Sequence, residues 1–318
     1  MFPAIAVTCA IAAALAFAAA AVLEQCSARQ VPQREPLSPR LLLDLARRPL
    51  WLAAIGGTIV GSALQITALH FGPLALVQPV LVCDLIFAVL IAAVTIRHHP
   101  PDKIMMLGTV CCAAGVAGFL AVARPGDGRE SVSLPAVLPL AAALAVVLAG
   151  CLAAARRSRP SIRPLLLALA CGIAYGATAF LLKLVTHSLS HGFSEPLRQW
   201  PLYAVVILGP LGFLLNQNAF QAGILIAPVL AVITTVDPLV SIGIGHLWLG
   251  ETIASTPLDL AGEAAALAAM IAGIVALAHR APQAARSQAQ AARPASGLRS
   301  ADGESEPQAI ASEHGAEP

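Results

Sequence analysis

Two aspartates stand where a charge is expensive. Asp84 lies near the centre of an apolar stretch over residues 73–96, and Asp237 near the centre of another over 224–249. An ionised carboxylate at mid-bilayer costs at least ~2.5–3.5 kcal/mol on insertion scales, so each must face protein or a water-filled cavity. Two carboxylates turned towards one cavity repel each other, which favours a proton on one of them and suits proton exchange; an added cation would hold both ionised. A purely structural role, capping a broken backbone or pairing with Arg or Lys, uses the same residue type.

The same stretches carry Pro79, Pro228 and Pro238. Proline removes a backbone donor and frees a carbonyl, which predicts kinked or partly unwound spans beside a cavity. Gln78, Thr234 and Thr235 would supply neutral oxygens there. A third stretch, 201–221, ends in the amides Asn216, Gln217, Asn218 and Gln221, with Gln65 as counterpart earlier in the chain. Amides both donate and accept, which suits a polar solute and equally suits hydrogen bonding between helices. Lys183 and Glu263 fall in the outer thirds of their spans and are read as a pair forming an outer gate, against snorkelling of Lys183 to the interface. Glu24, Arg29 and Glu251 read as interfacial charges, and His70 and His246 have no metal-ligand partner at helical spacing. Seven cysteines, six of them inside apolar stretches and none in a CxxC pair, read as small buried hydrophobes.

The elements that must position these groups follow from composition. The chain has 318 residues, of which 58% are hydrophobic and 11% charged, and a mean hydropathy of +0.80. A soluble domain carries roughly 25% charged residues, so an ordinary soluble globule is excluded, as is a disordered chain. Nine stretches are long enough to cross ~30 Å of hydrocarbon at ~1.5 Å per helical residue: 4–24, 50–70, 73–96, 103–123, 134–155, 164–186, 201–221, 224–249 and 258–279. Each is too long and uniformly apolar for a barrel strand, so the expected fold is an all-α polytopic membrane bundle of about nine transmembrane helices. The first stretch lacks a basic flank before it and reads as a retained helix, not a signal peptide.

Loop charges orient this bundle. Arg29, Arg34, Arg40, Arg47, Arg48, Arg97, Lys103, Arg156, Arg157, Arg159, Arg163 and four arginines after residue 279 fall on one side; Arg124, Arg129 and Arg198 fall on the other. The positive-inside rule then puts the N-terminus outside and the C-terminus in the cytoplasm of a plasma membrane. Residues 1–280 form the transmembrane domain, and 281–318, rich in Ala, Gln, Ser, Pro and Glu, read as a disordered cytoplasmic tail. A short amphipathic piece around Leu41–Leu45 is expected along the membrane surface.

The chain also resembles itself. At an offset of 151, Gly61 falls on Gly212, Leu64 on Leu215, Gln65 on Asn216, Ala68 on Ala219 and Gly72 on Gly223; with two residues inserted, Asp84 falls on Asp237. Ala16-Phe17 meets Ala174-Tyr175, and Ala117-Gly118 meets Ala272-Gly273. Repeat 1 (4–123) and repeat 2 (164–279) are separated by a connector helix (134–155), so the second repeat starts after five crossings and runs antiparallel to the first. Two inverted four-helix repeats are the plan of secondary transporters, whose sites form near the midplane between repeats.

The run ALHFGPLALVQPV from Ala68 to Val80, NAFQAG from Asn218, VDPLV from Val236 and LGET from Leu249 resemble motifs of the drug/metabolite transporter superfamily. The resemblance spans roughly residues 4–279 and is closest to EamA-type and NIPA-like members. It implies a carrier for small solutes or, on the NIPA-like branch, magnesium. EamA-type carriers usually have ten helices where this chain has nine, as NIPA-like proteins do, while midplane aspartates are not associated with the magnesium branch. The leading expectation is alternating access with Asp84 and Asp237 as coupling groups and the amides lining the path. The rival uses the two aspartates as Mg²⁺ ligands, and a non-transporting assembly protein is the third reading. No HExxH, P-loop, GxSxG or Cys–His constellation occurs, so no enzyme, cofactor or nucleic-acid partner is expected. The partners are the bilayer, a small-molecule or cation substrate and, compatibly, a second copy of the chain.

Overall fold

The computed structural model describes residues 3–32, 40–71, 77, 80–97, 102–123, 134–190, 192, 194–249 and 256–291. These residues fold entirely into helices and turns. In chain order they are α1 (Pro3–Gln30), α2 (Arg40–Ala46), α3 (Pro49–Phe71), α4 (Asp84–Ala92), α5 (Lys103–Ala123), α6 (Leu134–Arg157), α7 (Arg163–Ser190), α8 (Glu195–Arg198), α9 (Trp200–Ala222), α10 (Ile226–Ile244) and α11 (Pro257–Ala291). Both α4 and α10 continue into a π-helical turn, Ala93–Arg97 and Gly245–Leu249.

Eight of the described helices are long and apolar enough to cross a membrane, one fewer than the nine expected. The difference lies at 73–96, where the described apolar helix runs only over Asp84–Thr95. A turn at Val82–Cys83 precedes it, so Asp84 opens a helix where mid-helix was expected. Residues 72–76, 78 and 79, which include the candidate Gln78 and Pro79, lie outside the described residues. Pro228 occupies the third position of α10, where no helical N–H is required, and therefore does not interrupt it.

The surface has the character of a multi-pass membrane protein. Ile59, Ile66, Val94, Leu107, Val146 and Ile207 are all more than 60% exposed, whereas Glu24, Gln25, Ser27, Asn216, Gln217 and Gln221 are buried. A chain with large aliphatics outside and carboxylate and amides inside is matched to hydrocarbon, not to water.

Packing is pairwise. α1 lies along α3, and α7 along α9; α5 lies along α11; α7 also packs on α10, and α1 on α4 and α9. The short α2 buries Leu41 and Leu45 completely and contacts α3 and α9, so its apolar face is spent on the bundle and not on the membrane surface. Helix α11 runs on to Ala291, beyond the apolar span; residues 292–318, the rest of the expected disordered tail, lie outside the described residues.

Small residues let the last helices of the two halves meet. A Cβ at Gly273 of α11 would lie 2.6 Å from the Gly108 carbonyl oxygen and 2.7 Å from the Cys112 nitrogen of α5. Both neighbours are backbone atoms, so only a shift of a whole helix can make room. Gly273→Ala is therefore expected to destabilise the fold by about 1–3 kcal/mol, read as a lower unfolding midpoint in detergent. A midpoint equal to the parent's would mean that α5 and α11 do not approach this closely.

Candidate functional site

One cavity of about 840 Å³ opens among α1, α3, α4, α5, α7, α9 and α10. Its polar lining consists of Glu24, Asp84, Asp237, Asn216, Thr58, Thr234, Ser241 and the Tyr175 residue; Phe17, Phe213, Phe220 and aliphatic side chains supply the rest. Three carboxylates line it, and no Lys, Arg or His does.

Glu24 is the residue that sequence reasoning misplaced. It was expected at the membrane interface, but α1 continues six residues past it to Gln30 and buries it, 4% exposed. Asn216 Nδ2 donates to Glu24 Oε2 at 3.2 Å and Gln217 Nε2 donates to the same oxygen at 2.9 Å. Trp51 Nε1 donates to Gln217 Oε1 at 3.3 Å. An indole N–H can only donate, so it fixes the Gln217 amide with its nitrogen towards Glu24. Trp51 is itself held against Phe213, with ring centroids 6.0 Å apart at 56°. The sequence did contain a signal: Phe17, Ala20, Ala21 and Glu24 recur at helical spacing, and all four line the cavity.

Gln217→Leu removes both contacts of this amide. The expected cost is about 1–3 kcal/mol, because one donor to a buried carboxylate disappears and the Trp51 indole loses its acceptor. The same substitution is expected to shift Trp51 fluorescence in a background with Trp200 and Trp248 replaced by Phe. Unchanged stability and an unchanged spectrum together would contradict the Trp51–Gln217–Glu24 chain.

Asp84 and Asp237 face the same cavity from α4 and α10. Asp84 is the first residue of its helix, where unpaired backbone N–H groups and the helix dipole favour an anion. Its Oδ1 is shut off from solvent and has no hydrogen-bond partner among the described residues. Asp237 is followed by Pro238 within α10. Because proline has no N–H, the Thr234 carbonyl loses its helical partner beside the carboxylate. Helix α7 approaches closely here: a Cβ at Gly176 would lie 2.5 Å from the Asp237 carbonyl oxygen.

Two aromatic–glycine contacts shape the walls. A Cβ at Gly61 would lie 2.8 Å from Phe17 Cδ1, and one at Gly212 would lie 2.7 Å from Tyr175 Cδ1. Phe17 and Tyr175 both line the cavity.

The remaining candidates lie elsewhere. Thr234 is on the cavity wall, but Thr235 is buried away from it with its Oγ1 3.4 Å from Cys112 Sγ. Asn218 Nδ2 donates within its own helix to the Leu214 carbonyl at 2.7 Å. Gln221 Nε2 donates to the Val31 and Pro32 carbonyls at 3.3 and 3.0 Å, while Gln25 Nε2 donates to the Gly223 carbonyl at 3.4 Å. These amides fasten the end of α1 to the α9–α10 turn. Gln65 is half-buried on α3 and is not part of the lining. Glu263 keeps a buried Oε1 without a partner among the described residues, and the Lys183 side chain lies outside them. Among the described residues no group of three or more His, Cys, Asp or Glu is arranged to hold a metal ion.

No family model matches the chain, and no solved structure matches it significantly. It is similar to a protein of Corynebacterium glutamicum described as uncharacterized, with 27% identity over 274 residues, covering 86% of this chain and 94% of the relative. That match spans nearly the whole of both chains.

Proposed function

We propose that this protein is a secondary carrier of the drug/metabolite transporter type, moving a small solute across the plasma membrane by alternating access. The observation that carries the reading is the cavity: three membrane-embedded carboxylates converge on one space inside a helical bundle, with no basic residue in the lining. Such groups are costly in a membrane and are characteristic of ion and substrate pathways. The chain has no ATP-binding motif, so an ion gradient acting through Glu24, Asp84 and Asp237 is the proposed driving force.

Several features support two inverted four-helix repeats as the moving parts. The Phe17–Gly61 and Tyr175–Gly212 contacts involve residues that the internal alignment pairs with one another. The π-helical turns end α4 and α10, the two helices that carry the aligned aspartates. The α1–α3 packing has its counterpart in α7–α9, and α5 packs on α11, the two helices that close the repeats. With the positive-inside orientation, the fastened end of α1 and the α9–α10 turn lie at the cytoplasmic side of the cavity.

A magnesium permease would use the same carboxylates as ligands. Mg²⁺ keeps several waters and takes one or two carboxylates, but a lining this apolar and aromatic offers few other oxygens. The test is purified protein in liposomes, with luminal pH and Mg²⁺ followed while a metabolite panel or Mg²⁺ is added outside. Proton movement triggered by particular solutes is the expected result. Mg²⁺ entry lost in Asp84→Asn or Asp237→Asn would establish the permease instead, and silence in both channels would return the chain to an assembly role.

A further inference from the structure

The cavity's chemistry narrows the solute, and this inference rests on the carrier reading only for what happens after binding. We propose that the cavity binds an organic monocation with a bulky apolar body, such as a quaternary ammonium or phosphonium ion.

Size is the first argument. At about 840 Å³ the space lies within the roughly 300–1,000 Å³ of sites that enclose drug-sized molecules, and is far larger than a bare metal ion requires. Charge is the second. Glu24, Asp84 and Asp237 line the space without any Lys, Arg or His in the wall, so the protein supplies no cation to balance them. Glu24 has two amide donors, but Asp84 Oδ1 is enclosed and has no hydrogen-bond partner among the described residues. A cation entering the cavity would meet that oxygen, whereas an anionic solute would bring a fourth negative charge.

The walls supply the third argument. Phe17, Tyr175, Phe213 and Phe220 present aromatic surface alongside the three acids. Aromatic faces attract a cation through the ring quadrupole, and the attraction strengthens when water is excluded. They also accept the apolar body of an organic ion, which a small hydrated metal ion lacks. The arrangement is held in place from behind: Gly61 and Gly212 leave room for the Phe17 and Tyr175 rings, and Trp51 packs against Phe213.

The proposal separates two ions of nearly identical size and shape. Equilibrium binding of tetraphenylphosphonium and of tetraphenylborate would be measured on purified full-length protein in detergent, with protein-free micelles subtracted. Saturable binding of the phosphonium, with affinity for the borate at least about tenfold weaker, is the expected result. Equal affinities, preference for the borate, or no saturable phosphonium binding would overturn the proposal. The wild-type comparison needs no variant and so survives any folding defect. In a second arm, Glu24→Gln, Asp84→Asn and Asp237→Asn are each expected to weaken phosphonium binding at least about tenfold in protein that elutes as the parent does. Unchanged affinity in all three would place the ion elsewhere and overturn the site. Because binding is read without flux, the two readings fail separately. Phosphonium binding without transport of any solute would overturn the carrier alone. Transport of a neutral or anionic metabolite without phosphonium binding would overturn the cation class alone.

Discussion

Glu24→Gln is expected to reduce solute-driven flux at least about tenfold while leaving the protein folded. The substitution keeps the length of the side chain and an oxygen able to accept from Asn216 and Gln217, the two donors that hold Glu24 at 3.2 and 2.9 Å. It removes only the charge. Glu24→Ala does more, because both amide donors are then left in a buried setting without an acceptor. Each unpaired donor costs about 1–3 kcal/mol, so the alanine variant is expected to unfold several degrees lower, and the glutamine variant close to the parent. Flux in liposomes and unfolding midpoints in detergent separate the two effects. Full flux in the Gln variant would mean that this carboxylate is only a structural acceptor.

The second large effect is steric. Gly176 of α7 lies where a Cβ would stand 2.5 Å from the Asp237 carbonyl oxygen and 2.7 Å from Val240 Cβ. No rotamer change relieves a clash with backbone, so α10 must move away from α7. Gly176→Ala is expected to destabilise by about 1–3 kcal/mol, and Gly176→Val by more, with loss of flux because Asp237 and its neighbour Tyr175 are displaced together. Gly209 and Gly150 serve as controls, since a Cβ at either meets nothing within 4 Å. Alanine there is expected to be neutral or to stabilise by up to ~1 kcal/mol through helix propensity. If Gly176→Ala melted with the parent, the close α7–α10 crossing would be contradicted.

The membrane bundle was legible in the chain because hydropathy belongs to whole segments and survives errors of a few residues at each end. Asp84 and Asp237 were legible because an acid inside an apolar run has few explanations. Glu24 was not, since it stands at the margin of its run, where a charge is cheap, and nothing local says that α1 continues to Gln30. The amides illustrate a different limit. Asn216, Gln217 and Asn218 are consecutive, and successive residues on a helix point about 100° apart. They therefore serve different neighbours: Asn216 reaches Glu24 at the cavity, Gln217 links Glu24 to Trp51, and Asn218 bonds within α9. Composition marks such a cluster, but only the rotation of the helix about its axis says which member faces the cavity. The break before Asp84 was half visible: Pro79 announced an interrupted span, and the helix starts at the aspartate itself.

The central claim is that the acid-lined cavity is a passage open to each side in turn, and cysteine labelling tests it most directly. Ser241, a half-buried residue of the cavity wall on α10, would be changed by Ser241→Cys in a transport-competent protein whose seven native cysteines are replaced. A membrane-impermeant cationic methanethiosulfonate reagent would then be applied from one side or the other of oriented vesicles. The account predicts reaction from both sides and protection by transported solute. Reaction from one side only, or from neither, would contradict alternating access through this cavity.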